Sequence, residues 1–363
     1  MQFHTLKIDK IVVETKDAKT IYFEIPNELK ASYQHLAGQY LTIKMEQNGK
    51  EVRRAYSICT APGDSTIGVT VKKVKNGQMS SFLVDQAKAG DMVEVMTPEG
   101  HFVVKTDHLQ AKDYFFIAAG SGITPVMSMI LQLLEHEPKS VCHLLYGSKN
   151  EDNIIFKQKL SDLETKYAGQ LVVEYVLSQP NVRKEGGFAG LFAKKIIDWK
   201  GRTGRINTTI CQEFFNNNKG NHQEKQYFVC GPGDLIEQTE KYLLSQNIDK
   251  KSIHKEFFAS ASDHTTSNAG LNHAQVRVTL KGDTFDVEVN KGQTILDALI
   301  DLKKDPPYSC TSGACSTCMA KVKSGKVVMD QCFALDDDEI EAGYILTCQA
   351  HPDTKEVELT FDM

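Results

Sequence analysis

Four cysteines near the end of the chain have the types and spacing of a redox centre. Cys310, Cys315 and Cys318 stand in the run S-C-T-S-G-A-C-S-T-C, a C-x4-C-x2-C pattern, and 29 residues separate Cys318 from Cys348. Four thiolates at this spacing hold a 2Fe–2S cluster. Ser312, Gly313, Ala314, Ser316 and Thr317 are small enough for backbone N–H groups to approach the sulfurs, which stabilises the cluster's negative charge. Gly313 also permits a tight loop with positive φ. Zinc and disulfides are the weaker alternatives. Structural zinc usually shows two separated C-x2-C pairs, and here there is one. Disulfides belong to oxidising compartments, and nothing marks the chain as secreted. A cluster of this kind moves one electron at a time, so other parts of the chain must supply the electrons.

The chain around this loop has 363 residues, enough for two or three domains each burying a core. Formal net charge is −5 with acidic and basic residues mixed, which gives no reason to expect a nucleic-acid partner. The first residues lack an apolar signal-peptide core. Of nine cysteines, the five outside the pattern (Cys59, Cys142, Cys211, Cys230, Cys332) are scattered, as expected of reduced thiols in the cytoplasm. Residues 114–134 carry no charge and are long enough to span a bilayer, but Gly120-Ser121-Gly122 and Thr124-Pro125 interrupt them. A buried strand, a glycine turn and an amphipathic helix explain the run better, so no membrane partner is expected.

Residues 1–107 read as short strands over 7–14, 20–25, 39–45, 54–57, 67–74 and 92–96, an antiparallel barrel or sandwich. Within them, Arg54 and Tyr56 are expected on one face of a strand, and Ala55 and Ser57 on the other. An arginine can pair with a pyrophosphate and a tyrosine can flank an aromatic ring. After Gly77, Ser80 or Ser81 can cap a short helix whose free N–H groups suit a phosphate. A surface arginine beside a core tyrosine, and a plain turn, are the ordinary readings of these pieces.

R-x-Y-S followed by G-x-x-S resembles the flavin-binding barrel of the ferredoxin–NADP reductase superfamily. The resemblance implies Arg54 on the flavin phosphates, Tyr56 against the isoalloxazine and Ser57 near the flavin N5, with Ala55 in the same stretch. It also implies Val71 and Lys72 lining the flavin site, and Gly77, Met79, Ser80 and Ser81 at the pyrophosphate.

Over 108–258 strands and helices alternate, which points to a parallel sheet. An apolar strand over 114–119 runs into Gly120-Ser121-Gly122-Ile123-Thr124-Pro125 and then a helix over 126–134, with Pro125 in its first turn. Glycines and a helix start at the carboxyl end of a strand are where α/β sheets bind nucleotides, although a lone G-x-G is a weak signal. Further strands over 141–146, 171–177 and 227–230 follow. G-S-G-I-T-P together with C-G-P resembles the nicotinamide-nucleotide domain of the same superfamily. By that resemblance Gly120, Ser121, Gly122, Thr124 and Pro125 hold the cofactor pyrophosphate, and Cys230, Gly231 and Pro232 sit by the nicotinamide. The E-x-F ending implies Glu256 and Phe258 near the flavin ring. Ser148 and Lys149 after the second strand, and Arg183 after the third, favour NADPH, while Glu151 and Asp152 keep NADH open.

Residues 259–273 are rich in Ser, Ala, Thr and Asn and read as a flexible tether. From 274 a hairpin-like pair of strands, a helix capped by Thr294 with Asp297 three residues on, the cysteine loop and a last strand over 356–361 resemble plant-type ferredoxin, a β-grasp fold. Cys332 lies outside the ligand pattern.

The three parts imply a relay: NAD(P)H gives a hydride to FAD, and the cluster takes electrons singly. No residue has to act as a general acid or base. Ser57, Cys230 and Glu256 are the candidates at the reacting centre. The domain order resembles reductase components of bacterial oxygenases, above all the phenylacetyl-CoA epoxidase type, so the implied partner is an oxygenase component. Reductases of ketosteroid or Rieske oxygenases remain open, and because phthalate dioxygenase reductase shares the order but uses FMN, FMN does too. A non-enzymatic electron carrier and a free-standing diaphorase are the alternatives from other classes.

Overall fold

The computed structural model describes residues 2–47, 49–185, 194–258, 270–271 and 273–362. Alternation of apolar and polar residues makes the first sheet. In β1 (Phe3–Thr15), Leu6 and Ile8 are buried while Thr5 and Lys7 are exposed. It pairs with β2 (Ala18–Glu24) and joins β3 (Tyr40–Gln47), β4 (Lys50–Ser57), β5 (Ile67–Lys72) and β6 (Met92–Met96) in the antiparallel order β4-β3-β6-β1-β2-β5. Ile58, just past β4, bridges Val69 of β5, so the two end strands meet and the sheet curls into a barrel. Leu6, Ile21, Phe23, Leu41, Ile43 and Val95 fill it. A short helix, α1 (Gln78–Ser81), follows β5.

The second sheet is parallel. β7 (Asp113–Ala119) is buried from Asp113 to Ala118, as a strand covered on both faces must be. It leads through a glycine turn into α2 (Ile123–His136), then β8 (Val141–Ser148), α3 (Lys157–Lys166) and β9 (Leu171–Leu177). A hairpin of β10 (Val182–Glu185) and β11 (Lys194–Ile197), the short β12 (Arg202–Thr203), α4 (Thr208–Asn217), β13 (Lys225–Gly231), α5 (Gly233–Ser245) and β14 (Ile253–Phe257) complete it. The order β12-β9-β8-β7-β13-β14 reverses direction at β7, between β8 and β13. That reversal opens a crevice at the carboxyl ends of β7 and β13. The apolar run at 114–134 is β7, the turn and most of α2, and among the described residues no helix is long and apolar enough to cross a membrane.

The third sheet has the order β16-β15-β21-β17-β19, with β15 (His273–Leu280), β16 (Asp283–Asn290), β17 (Met319–Ser324), β19 (Tyr344–Leu346) and β21 (Glu356–Thr360). β18 (Val327–Met329) pairs separately with β20 (Ala350–Pro352). α6 (Ile295–Asp301) carries the capping box expected of Thr294 and Asp297, and α7 (Asp337–Glu341) follows the cluster loop. Most of the tether, 259–269 and 272, lies outside the described residues. Its far end is not tether: Leu271 N–H donates to Pro352 O at 3.1 Å, and His273 already pairs with Asn290 in β15.

Candidate electron-transfer site

The four candidate cysteines fall into two groups. Cys315 Sγ lies 3.1 Å from Cys310 Sγ, and Cys318 and Cys348 are buried in one cluster with Leu296, Tyr308 and Leu346. Two thiols for each of two irons is the donor set a 2Fe–2S cluster needs. The loop supplies further groups. Ser312 N–H donates to Cys310 Sγ at 3.4 Å, and the buried Ser312 Oγ has no hydrogen-bond partner, which suits a cluster sulfur. Hydrogen bonds from the Cys315 thiol, Ser312 and the Ala314 N–H lower the Cys310 thiol against its burial. Gly313 has φ +70, and a Cβ there would meet Gln331 O at 2.9 Å, so the loop closes only on glycine.

Beside these thiols lies a cavity of about 400 Å³. Arg54, Ala55, Tyr56 and Ser57 line it from the barrel, together with Lys72, Gly77, Met79 and Ser80. Ser121 and Thr124 line it from the start of α2, Glu256, Phe257 and Phe258 from the end of β14, and Cys310, Ala314 and Cys315 from the cluster loop. Volume, aromatic content and the cations Arg54 and Lys72 fit a flavin nucleotide. Arg54 Nη1 donates to Arg53 O at 2.6 Å and, among the described residues, pairs with no carboxylate.

All four residues from Arg54 to Ser57 line the cavity. One expectation is corrected here. Neither Ser80 nor Ser81 is an N-cap: both lie inside α1, and Gly77 holds the cap position. Ser80 Oγ instead accepts from Val74 N–H at 3.3 Å and donates to Gly77 O at 3.4 Å. Gly77 is required for space, since a Cβ would fall 2.3 Å from Val74 Cγ2.

Ser57, Cys230 and Glu256, drawn from β4, β13 and β14, converge on one oxygen. Ser57 Oγ donates to Glu256 Oε2 at 3.4 Å, and Cys230 Sγ donates to the same atom at 3.9 Å. Burial pushes the Glu256 carboxyl up to about 8, although both hydrogen bonds oppose the shift. Glu256 therefore keeps its proton at neutral pH. Burial also pushes the Cys230 thiol up.

The remaining candidates sit around the crevice. Gly122 packs so closely on β13 that a Cβ would lie 2.2 Å from Cys230 O. Thr124 Oγ1 donates to Ser121 O at 3.0 Å, Pro125 occupies the first turn of α2 and Pro232 caps α5. Gly120 has φ +57 and lies near Lys72 Nζ, and Gly231 is buried at the end of β13. Ser148 ends β8 buried, and Lys149 follows it exposed. Arg183 Nε donates to Asp198 Oδ2 at 2.7 Å. Val71 is corrected: its side chain is in the barrel core, not on the cavity wall. Ser81 lies beside the wall, not on it. Tyr40 and Phe257 line the cavity and were missed. Tyr40 looked like any strand aromatic, whereas Phe257 lay between two residues already singled out.

Three family models match in this order. An oxidoreductase FAD-binding domain covers 5–104, an oxidoreductase NAD-binding domain 116–241 and a 2Fe-2S iron-sulfur cluster binding domain 278–353. The chain is 34% identical over 363 residues to one of the subunits of the 1,2-phenylacetyl-CoA epoxidase of Escherichia coli, covering 99% of this chain and 98% of that one. It is 30% identical to the ferredoxin reductase component of 3-ketosteroid-9-alpha-monooxygenase of Rhodococcus rhodochrous, covering 98% and 96%. Phthalate dioxygenase reductase shares the fold, with a TM-score of 0.61 over 99% of this chain and 98% of that chain at 23% identity. Modules for flavin, nicotinamide and cluster rule out the bare carrier. The chain is an NAD(P)H oxidoreductase that uses FAD and a 2Fe–2S cluster, and it belongs to the family of reductase components that pass electrons to oxygenases.

Proposed function

We propose that this chain draws electrons from NADPH and delivers them singly to an oxygenase of the phenylacetyl-CoA epoxidase type. One observation carries the reading: a single cavity is walled by Arg54, Tyr56 and Ser57, by Glu256 and Phe258, and by Cys310 and Cys315. Bound flavin accepts a hydride and releases its electrons one at a time, as the cluster requires. In this reading Arg54 holds the flavin phosphates, with Gly77, Met79, Ser80 and Ser81 beside them. Tyr56 flanks the ring, Lys72 and Phe258 border it, and Ala55 approaches through its backbone. Val71 supports the strand from beneath. Ser57 and the protonated Glu256 hydrogen-bond at N5. Gly120, Ser121, Gly122, Thr124 and Pro125 take the nicotinamide pyrophosphate at the helix start, and Cys230, Gly231 and Pro232 border the nicotinamide. Cys310, Cys315, Cys318 and Cys348 ligate the irons.

The proposed modules run over 1–107, 108–258 and 274–363, and the protein works in the cytoplasm. Ser148 and the exposed Lys149 support NADPH, because a lysine just after the second strand can pair with a 2′-phosphate. Lys149→Ala should then raise KM for NADPH about tenfold and leave NADH unchanged. Equal use of both nucleotides by the unaltered chain would remove the NADPH assignment. An acceptor of the ketosteroid monooxygenase type is the second reading, favoured by the match over 98% of the chain. Reconstitution with purified oxygenase components of both types separates them, and faster turnover with the ketosteroid component would displace the first.

A further inference from the structure

Arg53 stands beside Arg54, yet it does not face the flavin cavity. In the pairing of β3 with β4, Tyr40 is opposite Ser57, Thr42 opposite Ala55 and Lys44 opposite Arg53. Side chains two apart share a face. Tyr40, Thr42 and Arg53 therefore project together, while Leu41 and Ile43 turn into the barrel core.

The outer face carries the cluster module. Tyr40 Oη and Thr317 Oγ1 are 2.7 Å apart, and Thr42 Oγ1 donates to Ser309 Oγ at 2.8 Å, both pairs buried. Ser309 and Thr317 flank Cys310 and Cys315 in sequence, the two ligands on the cavity wall. Arg53 is only 7% exposed. Its Nε donates to Glu51 Oε1 at 2.7 Å, and its Nη2 donates across the interface to Asp305 Oδ1 at 3.2 Å. The guanidinium also lies 4.1 Å from the centroid of the Tyr308 ring, and Tyr308 Oη donates back to Glu51 Oε1 at 2.9 Å. A guanidinium this buried is tolerated only because carboxylates and a ring face replace its water. Two of those groups, Asp305 and Tyr308, belong to the segment that enters the cluster loop.

We propose that Arg53 is a positioning residue for electron transfer, latching residues 305–309 to the β3–β4 face so that Cys310 and Cys315 stay at the wall of the flavin cavity. This rests on the relay set out above. The step it governs is the passage of one electron from flavin reduced by NAD(P)H to the oxidised cluster: the flavin loses one electron and the iron pair gains it. Adjacent arginines thus serve two tasks from one strand, Arg54 toward the flavin cavity and Arg53 toward the cluster module.

The test uses the full-length holoprotein and two readouts. In Arg53→Ala, hydrogen–deuterium exchange of the backbone over 305–317 should rise. In anaerobic stopped flow, flavin reduction by NADPH should keep its rate while cluster reduction slows about tenfold or more. Arg53→Lys should fall between, because an ammonium keeps the charge but neither the fork nor the stack. Asp305→Ala breaks the Arg53 contact from its exposed side, together with the Lys281 Nζ–Asp305 Oδ2 pair at 3.0 Å, and carries the test if Arg53→Ala does not fold. The latch is overturned if either variant, with full flavin and iron, matches the unaltered chain in both exchange and cluster reduction. It is also overturned if Arg53→Ala slows flavin reduction as much as cluster reduction. If NAD(P)H fails to reduce the cluster of the unaltered chain, the relay itself falls, whatever the variants do.

Discussion

Gly122 tests the crevice between β7 and β13 more sharply than any charged residue. Its backbone is helical, with φ −60 and ψ −10, so alanine would fit the dihedrals. Gly122 is the N-cap of α2, so the helix-interior preference for alanine does not apply. Space decides against alanine. A Cβ at Gly122 would lie 2.2 Å from Cys230 O, 2.6 Å from Cys230 C and 3.0 Å from Gly231 N, where ordinary contact begins at 3.4 Å. All three are backbone atoms that no rotamer change can move, so α2 and β13 must part by about 1 Å. Overpacking of this kind costs about 1–3 kcal/mol. The same displacement carries Cys230 away from Glu256, and a misplacement of about 1 Å can cost about 100-fold in rate. Gly122→Ala should therefore lower the midpoint of thermal unfolding and slow anaerobic flavin reduction by NADPH about 100-fold, with flavin and iron content preserved. A variant that melts higher and reduces its flavin at the normal rate would refute the reasoning.

Two further outcomes follow from the site. Between the ordinary carboxyl value of 4.5 and about 8, the flavin-free folded protein keeps a proton on Glu256 that the unfolded chain releases. Stability from this group is therefore fully present below 4.5 and declines as pH rises through 8. Urea unfolding of the flavin-free protein across that range should show the decline, and Glu256→Gln should flatten it; an unchanged slope would mean that the carboxyl titrates normally. Cys348→Ser should lose most iron and acid-labile sulfide, whereas Cys332→Ser should keep both, and equal loss in the two would reassign the ligands.

The chemistry was legible where it is local in sequence. Three of the proposed ligands fall within nine residues, and the proposed fourth follows at the spacing such a loop uses. Thr294 and Asp297 form the expected capping box, and Gly313 takes the positive φ its loop demands. What could not be read is the contact between distant segments. Arg53 meets Asp305 across 252 residues and Tyr40 meets Thr317 across 277, and no local pattern distinguishes those side chains from surface or core neighbours. The hairpin escaped notice because Val-Arg-Lys-Glu in β10 and Lys-Lys-Ile-Ile in β11 do not alternate, and β18 to β20 because three residues each are too few to show a period.

Electron flow to the cluster is the claim on which the rest depends. Anaerobic addition of NADPH, followed by electron paramagnetic resonance of the frozen protein, measures it directly. The account predicts flavin bleaching together with a reduced 2Fe–2S signal that grows toward full cluster occupancy. A bleached flavin beside a cluster that stays oxidised with both NADPH and NADH would contradict it.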